Sequence, residues 1–187
     1  MAEPNPAGPG ADIMRWLEQV VIGLDLCPFA RRVVADGRLR LRISEAVGEE
    51  EALADLQEEL TLLAASDPAE TETTLLALPQ LPGSFDAFNE LLALVDLLLE
   101  EGGWQDRFQV ASFHPGYRFA GTGPEEPGNL TNRSPVPLLH ILRETSVAAA
   151  VDSLDDPASI PARNIRRMES LDAPQRRQLF PWLYRDD

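Results

Sequence analysis

Between Arg38 and Phe113 the apolar residues switch back and forth between strand-like and helix-like periods, and that switching restricts the chain to the α/β class. RLRLRIS (38–44) alternates, with Leu39, Leu41 and Ile43 on one face and Arg38, Arg40 and Arg42 on the other. It predicts a strand wetted on one side, at a sheet edge. Glu49–Glu51 open a helix to about residue 64, the acids sitting at the positive end of its dipole and Leu53, Leu56, Leu60 and Leu63 forming the buried stripe. TTLLALP (73–79) is a nearly unbroken apolar run ended by Pro79, which suits a central strand. Ser84 caps a further helix through residue 99, with Phe85, Phe88, Leu92, Val95 and Leu99 facing inward and Gly102–Gly103 as its stop. RFQVASF (107–113) is the third strand.

Strands separated by single helices predict parallel, right-handed crossovers, so the expected core is a small, mostly parallel sheet of β-α-β-α-β layout. With both crossover helices on one side and an arginine-lined first strand, two layers are expected. Additional helices flank this core. One, near 12–24, follows Asp12 as N-cap and carries Ile13, Trp16, Leu17, Val20, Val21 and Leu24 at helical spacing. Others are expected over 134–154, 162–171 and 174–180, the last opened by Asp172 and Pro174. Residues 1–11, rich in Pro and Gly, are expected to be a disordered tail, and 12–182 a single globular α/β domain.

The chain has 16 Arg and no Lys against 31 acids, a net charge of −15, which argues against nucleic acid as a partner. The acidity is uneven: residues 1–112 hold 21 acids and 7 Arg, residues 113–187 hold 10 and 9. The longest apolar-rich run, LLALVDLLL, carries Asp96 and falls far short of the roughly 20 residues a membrane span needs. A single cysteine excludes an internal disulfide and fits a reducing, cytoplasmic location.

The residues able to do chemistry gather after the third strand. His114 follows Phe113, where ligands collect in parallel sheets, and opens an irregular stretch, 114–137, with five Pro, four Gly and two Asn. Ser134 is placed to cap the helix that would follow, with Pro135 in its first turn and free main-chain amides available to an anion. Arg133 flanks that helix end, and Arg143 would lie one turn beyond His140 on the same helical side. A neutral His140 beside two guanidinium groups suits a carboxylate or phosphate with proton transfer nearby. The same residues also fit structural roles: Ser134 as a cap, Arg143 in an internal ion pair, and His114 and His140 as hydrogen-bonding residues. Cys27, between Asp25 and Arg31–Arg32, reads either as an activated thiol or as a buried one. Cys27, His114 and His140 are also a ligand set of the kind that holds zinc, as are His140 and Glu144 on one helix face. Neither has a recognised ligand spacing, and the cofactor is left unknown with a metal as one option. GTGPEEPG lacks the lysine and the strand–turn–helix setting of a nucleotide loop.

LDLCPFA, ASFHPGYRFAGT and NLTNRSPVPLLHILRE closely resemble the hallmark segments of the domain of unknown function 1415 family of bacterial proteins, over about residues 13–171. The resemblance brings no established activity. It implies motif positions at Cys27, Pro28, His114, Pro115, Tyr117, Asn132, Arg133, Ser134, Pro135, His140, Arg143 and Glu144, which adds Tyr117 and Asn132 to the candidate ligand-binding residues. Asp25, Gly116, Arg118 and Val136 depart from the family's usual Asn, Asp, Gln and aromatic residue, which argues against a catalytic or metal role at 25, 116 or 118.

Two functions are therefore expected as alternatives. One is a small cytosolic enzyme acting on an anionic small molecule at the carboxyl end of the sheet, through His114, His140, Cys27, Arg133 and Arg143. The other is a non-catalytic binding or assembly protein whose motif residues form a structural hydrogen-bond network. The oligomeric state is not readable from the sequence.

Overall fold

The computed structural model describes residues 8–184. Helix α1 (Gly8–Trp16) runs directly into a wider π-helical turn, Leu17–Ile22, and a short α2 (Ala30–Ala35) follows. The tail expected over 1–11 lies mostly outside the described residues, while 8–11 already belong to α1. Next come β1 (Leu39–Ile43), α3 (Glu49–Ala65), β2 (Thr73–Ala77), α4 (Phe85–Glu101) and β3 (Phe108–Phe113). The second half holds β4 (Leu138–Arg143), α5 (Glu144–Asp152), α6 (Ile160–Glu169) and α7 (Ala173–Leu179).

Boundaries fall where the local chemistry puts them. Ser84 accepts a hydrogen bond from the Ala87 amide at the start of α4. Asp172 and Gln175 form a reciprocal capping box on α7, with Pro174 in the first turn where no N–H is missed.

The sheet order is β1-β2-β4-β3. β1 pairs parallel with β2, but β4 pairs antiparallel with both β2 and β3. The sheet is therefore mixed, and the mostly parallel layout expected from the sequence is corrected. β1, β2 and β3 do run in one direction, but the α4 crossover skips a position, and the segment expected to open a helix at 134 fills that slot as a strand. Two prolines explain the difference. Ser134 and Val136 each precede a proline, and the residue before a proline is pushed toward extended geometry. The Ser134 hydroxyl donates to the Val136 carbonyl at 2.6 Å and caps nothing.

Two layers are corrected to three, because separate apolar cores lie on either side of the sheet. On one side, Leu56, Leu60 and Leu63 of α3 and Phe88, Leu91 and Val95 of α4 pack on Leu76, Leu139 and Ile141. On the other, Ile13, Trp16, Val20, Met168 and Phe180 pack on Leu75, Ala77 and Leu138, with Leu39, Leu41 and Ile43 of β1 beside them. β2 is buried along its whole length, as its unbroken apolar run predicts for a strand covered on both faces.

β1 is at the edge as expected, but α3 covers its arginine face. Arg40 makes a two-pronged pair with Glu59, at 2.7 and 2.9 Å, and the Glu59 carboxylate raises the Arg40 pKa chiefly through that hydrogen bond. Arg38 reaches Glu72 at 2.6 Å. Glu59 is only 4% exposed, so Arg40→Ala strands a buried carboxylate. A loss of about 2 kcal/mol in chemical denaturation is expected, short of the full cost of breaking a buried pair because Arg40 itself is partly wet. A loss under roughly 0.5 kcal/mol, the usual range for surface changes, would show that the pair contributes little.

Candidate functional site

The face of the sheet under α1, α2 and α5 is incompletely filled. A cavity of about 350 Å³ lies there, lined by Trp16, Leu17, Phe29, Val33, Leu75 and Val147 among others. It sits over the amino-terminal ends of β1 and β2, at Leu39 and Thr73, not at the carboxyl end of the sheet where a site was expected. With an antiparallel strand in the middle of the sheet, the rule that places ligands at strand carboxyl ends has no hold.

His140 is set into this largely apolar wall, which Glu72, Thr73, Arg143 and Ser146 also line. Its register partners are Leu75 on β2 and Ala111 on β3, and its ring tilts against Phe113 with centroids 6.4 Å apart. The Thr73 hydroxyl donates its proton to the Ile141 carbonyl, so toward His140 it can only accept. The 2.8 Å contact from Thr73 Oγ1 to His140 Nε2 is then an Nε2–H donation. That assigns the tautomer and leaves Nδ1 as a lone-pair acceptor with no partner among the described residues. Burial alone pushes the His140 pKa down to about 4, so the ring is neutral at pH 7.

Cys27 lines the same cavity and also a second one of about 430 Å³, between the π turn, the 114–137 loop and α6. Val21 and Phe113 are the other residues common to both. The placement of Cys27 is built in the main chain. Gly23 closes the π turn, where a Cβ would collide with the Gln19 carbonyl oxygen. Asp25 takes a left-handed conformation, φ 54°, which Asp and Asn tolerate better than other side chains. α6 then holds the segment: Arg163 donates to the Asp25 carbonyl at 2.7 Å and Asn164 to the Leu26 carbonyl at 2.8 Å.

The remaining predicted residues lie elsewhere. His114 is 8% exposed, stacks on Phe88 with centroids 5.1 Å apart and leans on Phe85, both on α4. The two imidazoles thus stand on opposite faces of the sheet and do not meet. His114 Nδ1 accepts from the Gly116 amide at 3.0 Å, and burial lowers its pKa to about 4. Tyr117 tilts against Phe85 beside it, with centroids 4.9 Å apart. Arg133 staples the loop, donating to the carbonyls of Tyr117 (3.3 Å) and Pro124 (2.6 Å), with its pKa lowered by burial. Asn132 donates to the Ser112 carbonyl at 3.3 Å and lines the second cavity. Arg143 lines the first cavity, but its guanidinium turns to the α3 side and donates to the carbonyls of Leu63, Ser66 and Thr71.

No set of three His, Cys, Asp or Glu side chains that could hold a metal occurs among the described residues, and the Cys27, His114 and His140 set is split by the sheet. His140 and Glu144 share no helix face, because β4 ends between them. Sequence reasoning missed Thr73, Trp16 and the α5 residues Val147 and Ala150. Reading 138–143 as a strand would have paired His140 with TTLLALP and pointed to Thr73. It also missed Asn129, fully buried, which accepts from the Phe119 amide and the Thr122 hydroxyl and donates to the Gly123 carbonyl, holding the loop together.

The features together define an α/β protein on a four-stranded mixed sheet, with an apolar cavity on one face and a polar-stapled loop beside it. The chain belongs to the family described as Protein of unknown function (DUF1415), which it matches over residues 10–178. Neither the curated proteins nor the solved structures give a match. Among the described residues, no helix is long and apolar enough to cross a membrane.

Proposed function

We propose that this chain is a cytosolic binding protein for a small, uncharged, mostly apolar molecule, held in the cavity over β2 and β4 with a hydroxyl or amide of the ligand donating to His140 Nδ1. The observation that supports it is a cavity of about 350 Å³ with apolar walls, into which one neutral imidazole is set with a ring nitrogen to spare. Small-molecule sites have this makeup, an apolar enclosure with few fixed polar groups. The anionic ligand expected from the sequence finds less support. Arg133 and Arg143 turn guanidinium nitrogens to main-chain carbonyls, Arg143 through Nη2 with its Nε left unpartnered among the described residues, and the capped helix end at 134 gives way to a strand. The motif residues Arg133, Asn132 and Ser134 fit the structural network of the binding-protein alternative.

The test is a titration with three ring-matched probes, read through Trp16, which is 3% exposed on the cavity wall. 1-Naphthol should quench tryptophan fluorescence saturably, and the quench should vanish in Trp16→Phe. Naphthalene should bind about tenfold more weakly, the worth of one neutral hydrogen bond. 1-Naphthoate should bind weakest, since Glu72 lines the cavity and Arg143 Nη2 is turned to carbonyls on the α3 side. His140→Leu should erase the difference between naphthol and naphthalene. Tightest binding of 1-naphthoate would restore the anionic reading, and no saturable binding of any probe would end both.

A further inference from the structure

We infer that the second cavity, between the π turn, the 114–137 loop and α6, is a binding site of its own, and that it takes an uncharged molecule with an apolar body and an amino or amide N–H₂ group. This goes beyond the reading of the first cavity and does not depend on it. The space, about 430 Å³, is within the range of small-molecule sites. Leu26, Phe113, Phe119, Ile160 and Ile165 supply apolar walls. Phe119 and Ile165 are 37% and 39% exposed, which places them at the mouth. Among the described residues no charged side chain lines this cavity, so an ionised ligand would lose its hydration there without gaining a counter-charge.

The polar groups of this wall are short of donors. Asn164 lines the cavity and donates from Nδ2 to the Leu26 carbonyl at 2.8 Å, which fixes the orientation of its amide. Its Oδ1 is buried and has no hydrogen-bond partner among the described residues. Asn132, in the same wall, stands in a similar position. Its Nδ2 donates to the Ser112 carbonyl at 3.3 Å, and its Oδ1 meets the Thr131 hydroxyl at 3.1 Å. That hydroxyl has one proton and lies closer to the Gly128 carbonyl, at 2.8 Å. Thr131 thus serves Gly128, and the Asn132 oxygen is left short of a donor. A buried acceptor without a donor carries its desolvation cost unrelieved, and a ligand that brings an N–H relieves it. Two amide oxygens in want of protons, in apolar surroundings without charge, favour an N–H₂ group. A hydroxyl has only one proton to give, and a carboxylate has none.

The experiment follows the side-chain amide signals of Asn132 and Asn164 in proton–nitrogen correlation spectra of the full chain at pH 7, as p-toluidine, an aromatic amine uncharged at that pH, is added. N,N-Dimethyl-p-toluidine, which has no N–H, and benzylamine, which is a cation at that pH, are the comparisons. p-Toluidine should shift both signals saturably and bind about tenfold more tightly than its dimethyl derivative, the worth of one neutral hydrogen bond. Benzylamine should bind weakest. Asn164→Leu should remove most of the difference between p-toluidine and the dimethyl compound, which a purely steric preference would leave in place. Ile165→Trp fills the mouth and leaves both amides as they are, so it should abolish the shifts, and it decides the matter if Asn164→Leu, which also gives up the tie to Leu26, does not fold. Equal binding of the two aromatic amines to the parent, unchanged binding in Ile165→Trp, or no saturable shift of either amide overturns the inference. Tightest binding of benzylamine overturns it too, since the site would then select a cation.

Discussion

Acidification from pH 7 to pH 4 is expected to cost this fold about 6 kcal/mol through its two histidines, before any contribution from carboxylates. Both imidazoles are desolvated, and each pKa falls from 6.5 to about 4. The unfolded chain binds each proton near pH 6.5 and the folded chain only near pH 4, so between those values the unfolded state holds more protons. Stability therefore falls as pH drops through that window, by about 3 kcal/mol per histidine, and this share of it is fully present above about pH 6.5. His140 shares its cavity with Glu72, already tied to Arg38, and with Arg143, tied to carbonyls, so neither is free to stabilise an imidazolium. His114 faces the phenyl rings of α4, which offer no counter-charge either. The check is a urea titration at several pH values on the parent and on His114→Asn with His140→Gln. Asn keeps an acceptor where His114 Nδ1 takes the Gly116 amide, Gln keeps a donor for Thr73, and neither titrates. The double variant should be much less sensitive between pH 6.5 and 4. Identical pH dependence in both proteins would show that these histidines carry no linkage.

Much of the fold was legible because its signals are local. The alternation of 38–44, the stripe of α3, the unbroken TTLLALP and the caps at Ser84 and Asp172 each name their element, and each stands within a few residues of its expected place. The failure came where two local rules compete. Ser-Pro reads as a helix start from capping preference, whereas Ser134 and Val136, each before a proline, read as extended chain. The vacant slot between β2 and β3 decides for the strand, and no short window of sequence contains that slot. One wrong element then moved the candidate site. With 138–143 as a helix, His140 and Arg143 share a side. As a strand, residues three apart face opposite ways, so His140 turns to the cavity and Arg143 to α3. The long loop misled in a similar way. Its polar residues fit ligand recognition equally well until the hydrogen bonds of Asn129 and Arg133 show them holding the loop to itself.

Arg143→Ala should destabilise the protein by about 3 kcal/mol, one of the largest single-residue effects expected. α3 ends at Ala65 with no basic residue in its last turn, leaving carbonyls that the helix cannot satisfy. Arg143 Nη2 supplies the donor from across the sheet, 2.7 Å from the Leu63 carbonyl and 3.0 Å from those of Ser66 and Thr71. It thereby joins the end of α3 to the turn that leads into β2. The guanidinium lies over Phe108 at 5.9 Å, and the residue is only 8% exposed, so water does not easily replace it. Truncation takes the side-chain donor from the partly buried Ser66 and Thr71 carbonyls, leaves the Leu63 carbonyl with the Ser66 amide alone, and opens a void against Phe108. For a chain of this length the loss corresponds to a fall in Tm of roughly 6–12 °C, measurable by scanning calorimetry. Arg143→Met separates the two contributions: it fills the void but donates nothing, so it should recover the packing part and leave the carbonyl part lost. An arginine reserved for an anionic ligand behaves the opposite way, because removing it relieves a desolvated charge and leaves Tm unchanged or higher. A Tm change within 1 °C or so for Arg143→Ala, well below the shift expected from 3 kcal/mol, would return this residue to the list of candidate ligand contacts.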